Sequence, residues 1–357
     1  MYIPAIDTLC ATIDIQNYEA VAQDLLSKLE TKKNEAKLAA TNNASQKTTI
    51  KLGNQLFQIY PIGTMGYAYI LSNDSYEVKL SQYRSKNENF YPIFIEIRST
   101  QLWSKGVEAA WNDIIQLISE NIGKVKANKL NRLDLCCHTD SLELTEEDCT
   151  TFEGKFHEDT IYRFRRRVNA MYFGSRKNQR ILCRIYDKSF EVKQSNKKLW
   201  FHDIWRENGL DIDKVWNVEF EIKREFFKEM QIDSVEDALE RINTLWEYCT
   251  KEWLIKKNND RTRIERSTTN EVWVDIQNLF KDYKSRDMIK REKQLEYDAV
   301  SLVPGTIGNI TSFAARTGIE NFEEAMNQLM LQGNKYLFKK DKTYSEVVQE
   351  KIALLGQ

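Results

Sequence analysis

The 357-residue sequence contains no stretch approaching the roughly eighteen apolar residues that a membrane-crossing helix needs. Its first residues, Met1-Tyr-Ile-Pro-Ala, lack the basic-then-apolar order of a signal peptide, so a cytosolic protein with no membrane partner is expected. Histidine is scarce: His138, His157 and His202 are the whole supply, and none forms a His-x-His pair. The six cysteines include no CxxC spacing, and Cys136 and Cys137 are adjacent, which suits reduced core thiols rather than disulfides or a zinc site. The net charge of −1 excludes a uniformly basic surface. No internal repeats or low-complexity tracts stand out. What remains is 41% hydrophobic and 29% charged, the composition of a globular chain long enough for one large or two ordinary domains.

The charge that is absent overall is present locally. Between Tyr162 and Lys188 there are nine cations (163, 165, 166, 167, 176, 177, 180, 184 and 188) against one acid, Asp187. A local excess of this kind can hold a polyanion such as DNA, or it can be a solvated basic helix and turn. The stretch 170–193 reads at period two as a hairpin, with Ser175-Arg-Lys-Asn-Gln179 as its turn. On its second strand Ile181, Cys183 and Ile185 share one face, while Leu182, Arg184, Tyr186 and Lys188 share the other. A phenol has a reference pKa of about 10. Cations two residues away on each side favour the phenolate and would also hold a phosphate against it. That describes a nucleophile for phosphodiester cleavage. The same alternation also describes an ordinary strand whose solvent face carries an aromatic between long cations.

Two further segments place acids on one strand face. In Asn131-Arg-Leu-Asp-Leu-Cys-Cys-His-Thr-Asp140, Arg132, Asp134, Cys136 and His138 lie together, as a plain salt bridge or as half of a site. In Val215-Trp-Asn-Val-Glu-Phe-Glu-Ile-Lys-Arg224, Glu219 and Glu221 are about 7 Å apart on one face. With Asp134 on a neighbouring strand they could hold a hard divalent cation, or they could form a charged outer face paired with lysines. Elsewhere, 5–15 reads as a strand and 18–40 as a helix. Short runs at 48–52, 55–60, 67–72, 76–80 and 92–98 suggest an antiparallel meander, and 105–122 a helix. Residues 141–169 begin as an acidic loop, and 200–214 fits neither period. From about 229 the period becomes helical: 235–255, 270–294 and 320–332, with a break at Val303-Pro-Gly305. The expected fold class is α+β: an antiparallel-sheet catalytic domain over 1–228 with flanking helices, then a mostly helical region over 229–357 for site recognition, partner contact or dimerisation.

The words Tyr172-Phe-Gly-Ser-Arg-Lys177, Arg184-Ile-Tyr-Asp-Lys188 and Glu191 resemble the replication initiation factor family of rolling-circle plasmids and phages, together with the related relaxases of integrative conjugative elements. The resemblance covers roughly 1–228 and is sharp at 131–140, 171–191 and 215–224. It implies a DNA strand transferase in which Tyr186 becomes joined to the 5′ phosphate of nicked DNA, with Arg184 and Lys188 neutralising the phosphoryl oxygens. The His-hydrophobe-His motif of HUH nicking enzymes is absent; the resemblance implies Mg²⁺ or Mn²⁺ held by carboxylates, with Asp134, Glu219 and Glu221 as candidates. Arg163, Arg165, Arg166, Arg167, Arg176, Lys177 and Arg180 would grip a partly single-stranded or hairpin origin, with Tyr172 and Phe173 available for stacking or for the core. Family members act with a host superfamily-1 helicase and often as homodimers. Where the family usually carries an Arg, two residues before its first Glu, this chain has Asn217; a phosphate or carboxylate contact is then either lost or supplied elsewhere, for instance by Lys223 or Arg224. A non-cleaving regulator and a water-using nuclease are the alternatives.

Overall fold

The computed structural model describes residues 1–41, 48–64, 66–175, 180–281 and 303–355. It divides into two compact units, Met1–Lys290 and Arg291–Gln357. The first is α+β, built on an 11-stranded antiparallel sheet. In chain order the strands are β1 (Tyr2–Ile15), β2 (Thr49–Leu52), β3 (Gln55–Ile59), β4 (Tyr69–Ser72), β5 (Tyr76–Leu80), β6 (Ile93–Ile97) and β7 (Val125–Thr139). After β7 come β8 (Phe152–Gly154), β9 (Asp159–Phe164), β10 (Arg167–Phe173), β11 (Ile181–Asp187), β12 (Trp216–Lys223) and β13 (Leu254–Lys256). The meander expected from the alternating runs is present as β2 to β6. The spatial order is β2-β3-β4-β5-β6-β1-β7-β12-β11-β10-β9, with β8 and β13 in a separate pair.

That order is symmetric about the central pair. Each half sends its first strand through the middle, travels to an edge and returns strand by strand to lie beside the strand it began with. The register makes the relation residue-specific. Thr8 faces Asp134 and Cys10 faces Arg132; beside this pair one extra residue interrupts each strand, Asp7 in β1 and Asn131 in β7, and a further one, Lys126, lies nearer the start of β7. A two-fold axis between β1 and β7 therefore superposes Cys10 on Asp134 and Thr8 on Arg132. It also carries Glu96 onto Glu221, Phe94 onto Glu219, Lys79 onto Arg184 and Ser81 onto Tyr186, because β6 and β5 pair as β12 and β11 do.

One face of the sheet is apolar. Leu9, Ile13, Leu133, Leu135, Phe220 and Ile222 are buried there, against Ile114 and Ile118 of helix Val107–Asn121 and Leu29 of helix Gln23–Thr41. The apolar stripe read at 105–122 is thus core. The same core continues through Trp246, Trp273 and Phe280, so the first unit extends past residue 228, where the sequence period changes. Helices Val235–Glu240 and Ile242–Glu247 and a wide turn at Tyr248–Trp253 fill the span expected as one helix. The unplaced segment 200–214 contains helix Phe201–Glu207; Phe201, Trp205, Val192, Leu210 and Val215 form a second, smaller cluster. Five of the six cysteines are buried and all six are free thiols.

The second unit is helical where described: Val303–Thr317, Phe322–Phe338 and Tyr344–Leu355. The break expected at Val303-Pro-Gly305 is instead a helix start, since a proline in the first turn gives up only an N–H that has no intrahelical acceptor. Much of the segment expected as a helix near 270–294 lies outside the described residues, which place helix Glu271–Gln277 at its start. Among the described residues no helix is long and apolar enough to cross a membrane.

Candidate active site

The strands that carry the three sequence motifs are neighbours: β12 lies between β7 and β11. Opposite Glu219 stand Arg184 on one side and Cys136 on the other; Glu221 faces Asp134, and Asn217 faces Tyr186 and His138. Period-two alternation then puts Arg132, Asp134, Arg184, Tyr186, Asn217, Glu219 and Glu221 on a single face. Asp134, Asn217, Glu219 and Glu221 are all buried. Buried charge must be partnered or it costs several kcal/mol, and here it is partnered by guanidinium.

Nη2 of Arg184 lies 2.6 Å from Oε1 of Glu219, 3.3 Å from Oε2 of Glu221 and 3.5 Å from Oδ2 of Asp134. Arg132 donates from Nε to Oδ1 of Asp134 at 2.7 Å and reaches Oε2 of Glu221 at 3.1 Å. The three candidate ligands thus converge on one cation, and that cation is Arg184. Among the described residues no group of three His, Cys, Asp or Glu side chains stands around an open point as metal ligands. Burial pushes the Asp134 carboxyl up to about 7 against the pull of Arg132, and the charge of Glu219 adds to the rise.

Tyr186 is half-buried, and every hydrogen-bonding position on its oxygen is used. The phenol donates to Oε2 of Glu219 at 3.0 Å, and it accepts from Nζ of Lys188 at 3.1 Å and Nδ2 of Asn217 at 3.0 Å. Two expectations change here. Lys188 is not on the strand: Asp187 accepts from the backbone N–H of Phe190 and caps helix Lys188–Ser195, so Lys188 opens that helix. The turn folds its buried ammonium back over the Tyr186 ring, between Glu191 at 2.7 Å and the phenol. The phenol is also not primed as a phenolate. Burial first, then the charges of Glu219, Asp7 and Glu191, hold its pKa well above the ordinary value. Ionisation of this phenol would need a base in contact, and Glu219 is in contact.

Asn217 supplies what the missing arginine was expected to leave open. Its amide nitrogen donates to Tyr186 and to Oε2 of Glu219 at 3.1 Å. Of the two substitutes expected, Lys223 lies 3.5 Å from Glu221, whereas Arg224 turns to Leu130, Ile232 and Asp233.

One neighbour escaped the sequence. Asp7, the extra residue of the β1 bulge, accepts from Nε1 of Trp103 at 3.1 Å and lies 4.0 Å from Nζ of Lys198. Burial and the charge of Glu219 raise its pKa. Bulges re-aim side chains, and no alternation signal marks an acid that is placed by one. His138 ends the face. Trp103 stacks on it at 4.6 Å, Phe201 meets it edge-on at 4.8 Å, and Nε1 of Trp205 donates to its Nδ1 at 3.0 Å. Burial and the charges of Lys188 and Lys198 keep the imidazole neutral.

The expected DNA-gripping cations differ in their partners. Arg163 is 2.7 Å from Glu146, Arg167 is 3.2 Å from Glu143, and Arg180 is ion-paired to Glu229. These acids are distant in sequence and cancel much of the local excess. Arg176 and Lys177 lie outside the described residues. Arg165 and Arg166 have no carboxylate partner among the described residues and sit at the tip of the β9–β10 hairpin. Phe173 is buried, whereas Tyr172 is half-exposed on the face of Arg184.

No protein-family model and no curated protein matches the chain. A solved structure of a rolling circle replication initiator protein from Geobacillus stearothermophilus is similar at a TM-score of 0.44 and 12% identity, over 81% of this chain and 100% of that one. At that score the likeness says nothing about activity.

Proposed function

We propose that the chain is a rolling-circle replication initiator that nicks and rejoins one DNA strand at an origin through Tyr186. A conjugative-element relaxase would use the same chemistry. The observation that carries the reading is the phenol itself, which donates to one carboxylate while accepting from a lysine and an amide. The motif resemblance of Arg184-Ile-Tyr-Asp-Lys188 supports it independently.

In the forward step Glu219 takes the phenolic proton. The phenolate keeps Lys188 and Asn217 on two of its lone pairs and presents the third to phosphorus. The Tyr186 O–P bond forms, and the P–O3′ bond breaks in line, its electron pair leaving on O3′, which takes a proton from solvent. Lys188 offsets the charge on the tyrosine oxygen, and Arg184 faces the phosphoryl oxygens. Joining reverses these steps, with a 3′ hydroxyl attacking the phosphotyrosine.

Mg²⁺ or Mn²⁺ is proposed as cofactor. The all-oxygen set of Asp134, Glu219 and Glu221 suits a hard cation; Nη2 of Arg184 lies where the three converge, so a bound ion would have to take the place of that guanidinium. The ion would polarise the scissile phosphate. Chelation should abolish nicking and added Mn²⁺ restore it; nicking that ignores EDTA would remove the metal from the scheme.

The test of the reading uses supercoiled DNA carrying the gene and its flanks, incubated with wild type and Tyr186→Phe. A covalent DNA–protein band that the Phe variant lacks is the expected outcome. Nicking without a covalent band would favour a water-using nuclease, and binding without nicking a regulator.

A further inference from the structure

Hydrogen bonding around the phenol leaves two buried atoms over. The register sets His138 opposite Asn217, on the face that carries Tyr186. Neither residue is more than 1% exposed. Asn217 gives its amide nitrogen to the phenol oxygen and to Glu219, but its Oδ1 has no hydrogen-bond partner among the described residues. His138 accepts a hydrogen bond on Nδ1, and its Nε2 has no partner among the described residues either.

The polarity of both atoms follows from their surroundings. The donor to Nδ1 is the indole N–H of Trp205, a group that can only donate. Nδ1 therefore carries no proton, and in an imidazole that burial keeps neutral the proton sits on Nε2. Trp103 stacked on the ring and Phe201 edge-on to it pin its plane. A buried N–H donor thus neighbours a buried carbonyl acceptor across one strand pair, where Cβ atoms stand about 5 Å apart. Buried donors and acceptors are costly to leave unmade. Two of opposite polarity, side by side and walled from solvent, are what one internal water joins.

We propose that Trp205 and His138 are positioning residues for Tyr186. A chain of donors runs from Trp205 through His138 and one buried water to Asn217, and ends on the phenol oxygen. Every link points the same way, because an indole starts it. The water accepts from Nε2–H and donates to Oδ1, and the amide so polarised donates more strongly from Nδ2. When Glu219 takes the phenolic proton, the charge left on oxygen meets a donor whose direction is already set. No member of the chain ionises, and no proton crosses it. The role rests on the nicking function and extends it to two residues that touch neither the phenol nor the carboxylates.

The test compares single-turnover nicking rates at saturating DNA, per folded molecule. His138→Leu removes the donor and should nick about tenfold more slowly at unchanged DNA affinity. His138→Gln should recover most of that loss, since its amide oxygen can accept from Trp205 while its nitrogen donates. On an Asn217→Ala background His138→Leu should cost no more than about twofold further, because the chain then has no end to act on. A merely structural histidine would show neither the rescue nor the coupling. A second readout needs no activity: ¹⁵N spectra of the three imidazoles. His138 should show a bare Nδ1 and a protonated Nε2, Trp205→Phe should populate both tautomers, and His138→Leu should shift the Asn217 side-chain amide. A wild-type rate in His138→Leu, a Gln variant as slow as Leu, an undiminished loss without Asn217, or a proton on Nδ1 would each overturn the proposal. If the spectra are as stated while wild type forms no covalent DNA–protein band, the chain stands and the nicking reading falls. A covalent band formed equally fast by wild type and His138→Leu sinks the chain alone.

Discussion

Glu219 is the residue on which the proposed chemistry turns, because among the described residues it alone touches both the phenol and the Arg184 guanidinium. Glu219→Gln keeps the shape and removes the base, so the nicking rate should fall by about 10²-fold or more at unchanged DNA affinity. A rate within a few-fold of wild type would place the base elsewhere. Asn217→Ala strips one of the two donors from the phenol oxygen and should slow nicking by about tenfold, one hydrogen bond's worth. A second consequence concerns pH. His138 is buried and neutral in the folded protein, with its pKa pushed below the ordinary 6.5, whereas the unfolded chain protonates it below that value. Protons then favour unfolding, so this group's stability contribution is complete above pH 6.5 and is lost below it at about 1.4 kcal/mol per pH unit. Urea unfolding at pH 7.5 and 5.5 should therefore diverge more for wild type than for His138→Gln; equal divergence would contradict the assignment. Among single residues, Tyr186 and the carboxylates were legible because strand alternation and motif wording both point at them. Asp7 was not, since a bulge takes it out of the alternation, and the phenol's raised pKa was not, because it comes from burial.

At the scale of elements, the junction between β11 and helix Lys188–Ser195 decides where Lys188 goes. Asp187 caps that helix through its bond to Phe190 N–H. Asp187→Ala should lower stability by about 1 kcal/mol. It should also slow nicking beyond what that loss of fold explains, because Lys188 is aimed by the capped turn. A rate that tracks the folded fraction alone would mean that Lys188 needs no such aim. The sequence showed the β11 alternation clearly but carried it one residue too far, since a lysine after Asp fits a strand end and a helix start equally well. The ion pairs that tie Arg163 to Glu146 and Arg167 to Glu143 join residues 17 and 24 positions apart. A count of charges along a window cannot register partners outside it.

At the scale of the molecule, the two halves of the sheet share a topology and a register but not a chemistry. Glu96 and Lys79 occupy the places of Glu221 and Arg184, whereas Cys10, Phe94 and Ser81 stand where Asp134, Glu219 and Tyr186 stand. Only one half carries the side chains on which the proposed cleavage rests. Glu96→Gln and Lys79→Gln should leave the nicking rate at its wild-type value, while Glu221→Gln and Arg184→Gln lower it; equal effects on both sides would contradict a single site. The relation is faint in sequence, because the equivalent segments Phe94-Ile-Glu-Ile-Arg98 and Glu219-Phe-Glu-Ile-Lys223 share only a short Glu-Ile followed by a cation. The register exposes it. The α+β class follows from alternation; the adjacency of the three motif strands is a condition that alternation leaves open and the strand order meets. The extension of the first unit beyond residue 228 does not, since Trp246, Trp273 and Phe280 read as helix faces and only the fold shows what they pack against. The most direct test of the account remains the covalent intermediate. Denatured products of the Mn²⁺ reaction on supercoiled DNA should show label on wild-type protein and none on Tyr186→Phe. Label of equal intensity on both proteins, or nicked DNA with label on neither, would contradict a tyrosine nucleophile at residue 186.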